Sequence, residues 1–135
     1  MGLMTRLALT ALLLFLAACG GGGKSAADWQ LPAELEGGWK LAVAPPSKES
    51  FDLVARLAPR NSRMSGYENG ERRVSILALE LANGSVAFEE VQKWRAQPGR
   101  IAFHHNAWLV AVESAGMSAP DLSRLATQIE KSMPR

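Results

Sequence analysis

Apolar and polar positions alternate with two different periods along most of the chain, and the changes of period mark the elements. Trp39-Lys40-Leu41-Ala42-Val43 steps at period two, as a half-buried strand does, and Pro45-Pro46 ends it. Ser47 is a good N-cap, and Phe51, Val54, Leu57 and Ala58 follow at helical spacing up to Pro59, which predicts a helix over 48–58. Extended runs over 64–67 and 72–81 flank Asn69-Gly70, the dipeptide favoured in a type I′ hairpin turn, where both central residues need positive φ. In the second run Val74, Ile76 and Ala78 share one face and Leu77, Leu79 and Leu81 the other. That strand is expected to be central and partly covered on each side.

After Asn83-Gly84 a helix is expected over about 86–96, with Ser85 at its start and Ala87, Phe88, Val91 and Trp94 on its buried face. Glu89 and Lys93 make an i,i+4 pair on its wet face, and Glu89 and Glu90, placed near its start, suit the helix dipole. Pro98-Gly99 ends it. Arg100–His105 and Trp108–Glu113 read as a second hairpin around Asn106-Ala107. Ser118, with Asp121 three residues on, opens a last helix striped by Leu122, Leu125, Ala126, Ile129 and Met133.

A chain of 135 residues has room for one domain. With a single turn over 31–35, the expected order is β-α-β-β-α-β-β-α. This is an α+β fold: a single, mostly antiparallel sheet with amphipathic helices packed on one face. The segment AFEEVQKWR within a β-β-α-β-β frame resembles small secreted bacterial domains of unknown function, a resemblance that implies no activity.

The N-terminus follows neither period. Arg6 precedes a run over 7–18 that is apolar except for Thr10, which leads into Cys19 and then Gly20-Gly21-Gly22-Gly23. A basic start, a short apolar stretch and small residues form the layout of a secretory signal peptide over 1–18. As a helix the run is about 18 Å long, against about 30 Å of hydrocarbon, so it is too short to span a bilayer. Leu16-Ala17-Ala18-Cys19 resembles the lipobox of bacterial lipoproteins. The resemblance implies cleavage between Ala18 and Cys19, a diacylglyceryl group on the Cys19 sulfur, and a further acyl chain such as palmitate on the freed amine. Gly20, where an Asp would imply retention at the inner membrane, implies the periplasmic face of the outer membrane. Residues 19–28 then form the lipidated cysteine and a Gly-rich tether, and 29–135 the single α+β domain. Two or three acyl chains suffice for stable attachment, at about 0.8 kcal/mol per buried CH₂.

The net charge of +2 is scattered, and its longest basic run is Arg72-Arg73, a poor footprint for nucleic acid. One cysteine excludes an internal disulfide, and no cofactor is expected beyond the lipid on Cys19. His104 and His105 are adjacent on a strand and so point to opposite faces, one toward the helices and one toward solvent, which excludes a shared metal. No serine sits in a G-x-S-x-G elbow, and no catalytic set emerges. Trp39, Trp94 and Trp108 are expected in the core, whereas Trp29 either rests at the membrane interface or plugs the domain. Tyr67, Arg72 and Arg73 beside the first hairpin turn, with His104 and His105, are the candidate contacts for a ligand or partner. The resulting expectation is a membrane-anchored lipoprotein acting as a binding or accessory module for an envelope protein or component. The alternatives are a small-ligand or lipid carrier, and a hydrolase using His104 or His105.

Overall fold

The computed structural model describes residues 26–94 and 97–135. The leader, Cys19, most of the tether and the last residues of the helix expected over 86–96 lie outside the described residues.

A 3-10 turn, Ala26–Asp28, leads into a sheet of six strands in which every pairing is antiparallel: β1 (Glu34–Leu35), β2 (Trp39–Ala42), β3 (Asn61–Asn69), β4 (Arg72–Glu80), β5 (Arg100–His105) and β6 (Trp108–Glu113). Their spatial order is β1-β2-β3-β4-β6-β5, interrupted in sequence by helices α1 (Lys48–Leu57), α2 (Gly84–Lys93) and α3 (Ala119–Ser132). The fold is α+β with a single sheet. The expected order lacked β1, which pairs only Glu34 with Lys40 and Leu35 with Trp39, too short for a periodic signal.

β3 begins at Asn61, earlier than expected, because its first residues are polar yet still paired: Ser62 lies opposite Leu79 and Asn61 Nδ2 donates to Glu80 Oε1 at 2.7 Å. The first hairpin turns one residue later than expected. Asn69 pairs with Arg72, so Gly70 and Glu71 are central, and Gly70 supplies the positive φ of +63° that a type II′ turn needs at its first central position. Asn69 instead donates through Nδ2 to the Gly37 carbonyl at 2.7 Å. Asn83, not Ser85, caps α2 by accepting from Val86 N–H at 3.0 Å. Ser47 and Ser118 cap α1 and α3 as expected.

The helices divide between the two faces of the sheet, which corrects the expectation of one helical face. Val74, Ile76 and Ala78 of β4 join Trp108, Val110 and Val112 of β6 in a core covered by α3 through Leu122, Leu125, Ala126 and Ile129. Leu77, Leu79 and Leu109 point the other way, toward Ala87 of α2 and the partly buried Leu53, Val54 and Leu57 of α1. The two-sided apolar pattern of β4 carried this signal, since a strand buried on both faces needs a layer on each.

Trp29 plugs the α3-side core. It is 2 % exposed, meets Trp108 edge-on at 5.2 Å between centroids, and its Nε1 donates to Ser132 Oγ at 3.3 Å. Arg63 ties the same segment to β3, donating from Nε to the Trp29 carbonyl at 3.2 Å and from Nη2 to the Ala27 carbonyl at 2.9 Å.

Candidate functional site

The α1–α2 face of the sheet holds a cleft centred on Arg100. Pro98 and Gly99 place this residue: Gly99, at φ +76°, turns the chain so that Arg100 N–H reaches the Gln97 carbonyl at 3.2 Å and β5 begins. The alternation of β5 then aims the Arg100 side chain at the helices, where it is 19 % exposed. Its guanidinium carbon lies 4.3 Å from the centroid of Trp94, the C-cap of α2, and Nη2 donates to Glu49 Oε1 at 2.6 Å. Nε forms a 2.7 Å ion pair with Glu113 Oε1 that is not aligned as a hydrogen bond. Glu113 sits opposite Arg100 in the hairpin register and is fixed by the sheet. Glu49 is 67 % exposed and rides on the first turn of α1.

That helix is held in an unusual way. None of its residues is buried; Leu53, Val54 and Leu57 touch the core only partly, and charges hold both of its ends. Glu49 meets Arg100 at one end. At the other, Arg56 donates through Nη1 and Nη2 to Glu90 of α2 at 3.4 and 3.2 Å. Glu90 is 5 % exposed and also accepts from Lys93 Nζ at 3.0 Å. Burial pushes the Glu90 carboxyl up, but the hydrogen bonds and charges of Lys93 and Arg56 outweigh it and hold the group below its ordinary range. The expected pairing of Lys93 with Glu89 is thus replaced by an i,i+3 pairing with Glu90 in the second half of the helix, away from its dipole-favoured start.

Beneath the start of α1, Leu53, Met64, Ser75, Leu77 and Ala111 line a space of about 70 Å³. It opens into a groove between α1 and α2 whose walls carry Asp52, Arg56, Glu90, Lys93 and Gln97. A guanidinium held by a carboxylate of the neighbouring strand and one aromatic face, with a more exposed second carboxylate, can exchange that second partner for another planar anion.

Of the residues singled out from the sequence, Arg73 lines a groove beside Glu49, Arg100 and Glu113, and the others lie elsewhere. Tyr67 is not on an exposed edge: it is 0 % exposed, its hydroxyl donates to the Pro32 carbonyl at 2.7 Å, and burial pushes its pKa up. Arg72 stacks over Trp39 at 4.9 Å, and Arg73, 78 % exposed, pairs with Glu68 at 3.3 Å. His104 and His105 do face opposite ways, but helices flank both. The His104 ring lies 5.4 Å from Phe88 of α2, while His105 Nε2 lies 2.7 Å from the Pro134 carbonyl beyond α3. That contact puts the His105 proton on Nε2 and turns Nδ1 toward Glu130 Oε1 at 3.9 Å. Neither histidine lines the Arg100 cleft. Among the described residues no group of three or more His, Cys, Asp or Glu is placed to hold a metal, and no helix is long and apolar enough to cross a membrane. Of the tryptophans expected in the core, Trp39 and Trp108 are buried, whereas Trp94 is partly exposed and forms a wall of the cleft.

Sequence reasoning missed the Arg100 cluster. Its Glu113 half had a signal: counting back from Asn106-Ala107 sets Arg100 opposite Glu113. Its Glu49 half had none, because that contact spans 51 residues.

The residues thus define an α+β single-sheet domain with an arginine-centred cleft on one face. Compared with known proteins, the chain matches no family model, no curated protein and no solved structure.

Proposed function

We propose that the chain is a lipid-anchored lipoprotein of the bacterial envelope. Its domain acts as a binding or accessory module that receives a carboxylate or phosphate group of an envelope component in the Arg100 cleft. The lipobox-like Leu16-Ala17-Ala18-Cys19 supports the address, with Gly20 favouring the periplasmic face of the outer membrane. The observation that carries the binding role is Arg100 itself. One carboxylate and one ring fix it, and its remaining partner is an exposed glutamate on a helix that buries no residue. The space under α1 is too small to enclose a lipid chain, and the adjoining groove of about 470 Å³ is walled by the charged Asp52, Arg56, Glu90 and Lys93, which counts against a carrier. The engagement of His105 with the Pro134 carbonyl counts against that histidine as the base of a hydrolase.

Calorimetric titration of the full-length lipidated protein in detergent tests the cleft, using inorganic phosphate and an acetylated dipeptide with a free carboxylate as probes and the dipeptide amide as control. Removing the competing carboxylate in Glu49→Gln should tighten binding of the anions by up to about fivefold, the worth of one exposed ion pair. Arg100→Gln should abolish binding. Binding that survives Arg100→Gln, or no binding by either the native chain or the folded Glu49→Gln variant, overturns the reading.

A further inference from the structure

Arg100 does not stand among spare cations. It faces two carboxylates, Glu49 at 2.6 Å from Nη2 and Glu113 at 2.7 Å from Nε. Along the adjoining groove, Arg56 and Lys93 exceed their shared partner Glu90 by one charge, and Asp52 cancels that charge. Arg73, at the far end, pairs with Glu68 at 3.3 Å. The cleft therefore carries one net negative charge. A simple anion that takes the place of Glu49 on Arg100 leaves that glutamate unpaired and adds a second negative charge. A ligand that brings an ammonium group together with its carboxylate satisfies both partners: the carboxylate meets Arg100, and the ammonium meets the displaced Glu49.

The register of the sheet sets an apolar space beside this ionic group. Met64, Leu77 and Ala111 form one row across β3, β4 and β6, and Ser75, Glu113 and Arg100 form the next across β4, β6 and β5. With Leu53 of α1, the apolar row lines the same space of about 70 Å³ that Arg100 and Glu49 border. A dry cavity of about 150 Å³ takes up benzene, so this one has room for roughly three carbons. Each carbon buried there strengthens binding about fourfold.

We propose that the cleft binds an α-amino acid whose amine and carboxylate are both free and whose side chain is small and apolar, of the size of valine. The carboxylate takes the place of Glu49 on Arg100 Nη2, while Glu113 and Trp94 keep the guanidinium in position. The ammonium pairs with Glu49, and the side chain enters the space lined by Leu53, Leu77 and Ala111. An α-amino acid carries both charges on one carbon, which suits two groups as close together as Arg100 and Glu49. Phosphoethanolamine offers the same pair of charges but no branch to fill the apolar space. The proposal rests on the anion-binding reading of the Arg100 cleft and goes beyond it by naming the class of ligand.

The test is calorimetric titration of the full-length lipidated protein in detergent with valine, glycine, phenylalanine, N-acetylvaline, valinamide, phosphoethanolamine and inorganic phosphate. Valine should bind roughly tenfold or more tightly than glycine or phenylalanine, and several-fold more tightly than N-acetylvaline, whereas valinamide should not bind. In Glu49→Gln the advantage of valine over N-acetylvaline should vanish, because the ammonium has lost its partner. An acetyl group excluded merely by its bulk would keep that advantage. Leu53→Phe, which fills the space, should bring valine down to the level of glycine. Equal binding of valine and N-acetylvaline by the native chain, or an advantage that persists in Glu49→Gln, overturns the paired-charge ligand and leaves the anion reading standing. Glycine or phosphoethanolamine binding as tightly as valine overturns the apolar subsite, and binding of phosphate with none of the amino acids overturns the proposal alone. Binding of none of these probes overturns the proposal and the anion reading together.

Discussion

Gly66 lies where β3 passes β4 and the β2–α1 connection. A methyl group built there meets the Val74 carbonyl oxygen at 2.6 Å and Ala44 Cβ at 2.9 Å. Both obstacles belong to backbone or to a side chain without rotamers, so neither yields cheaply. Gly66→Ala should cost about 1–3 kcal/mol, as overpacking does, read as a lower urea midpoint for the full-length protein. The Val74 contact lies across the predicted hairpin, whereas the Ala44 contact, from the β2–α1 connection, has no local signal in the sequence. Trp29 teaches the opposite lesson. Plugging the domain was one of two readings open from the sequence, and the choice between them needed Ser132 and Trp108, which lie 103 and 79 residues further along the chain. Arg100 was likewise half legible: its strand partner followed from the turn, its helix partner from nothing local.

Among the elements, α1 depends most on charge. The stripe of Phe51, Val54, Leu57 and Ala58 predicted its period and its cap correctly, yet only Val54 and Leu57 of that stripe touch the core and Phe51 faces outward. The sequence period finds a helix, but the depth of its seat is set by what lies beneath. Here Glu90 does much of the holding. Its folded pKa lies below the unfolded value, so it stabilises the fold above the ordinary glutamate range of about 4.3, and that contribution disappears as pH falls through the lower folded value. Glu90→Gln should lose about 1–2 kcal/mol at neutral pH, allowing for the exposure of Arg56 and Lys93. Thermal denaturation across pH should show the gap between variant and native protein closing on acidification. A gap that stays constant below that range would remove Glu90 from this role.

The whole molecule is a sheet with a helical layer on each side, and the two-faced apolar run of β4 was the sequence feature that foretold it. Assigning all helices to one face ignored that run in favour of the commoner two-layer plan. The edges are managed differently at the two ends: β1 is only two residues long, and β5 is packed between α2 and α3. At this scale the proposed address has its own test. Cys19→Ser should move the full-length protein out of the washed membrane fraction of cells, and an unchanged membrane fraction would refute lipidation as its means of attachment.

The clasp between Arg63 and the carbonyls of Ala27 and Trp29 has a mechanical consequence. Any force on a chain pulled from its N-terminus reaches the folded body through that guanidinium and the indole behind it. The load then passes into the longest ladder of the sheet, the nine paired positions of β3 and β4. A domain strung this way resists tugging by first having to draw a tryptophan out of its own interior.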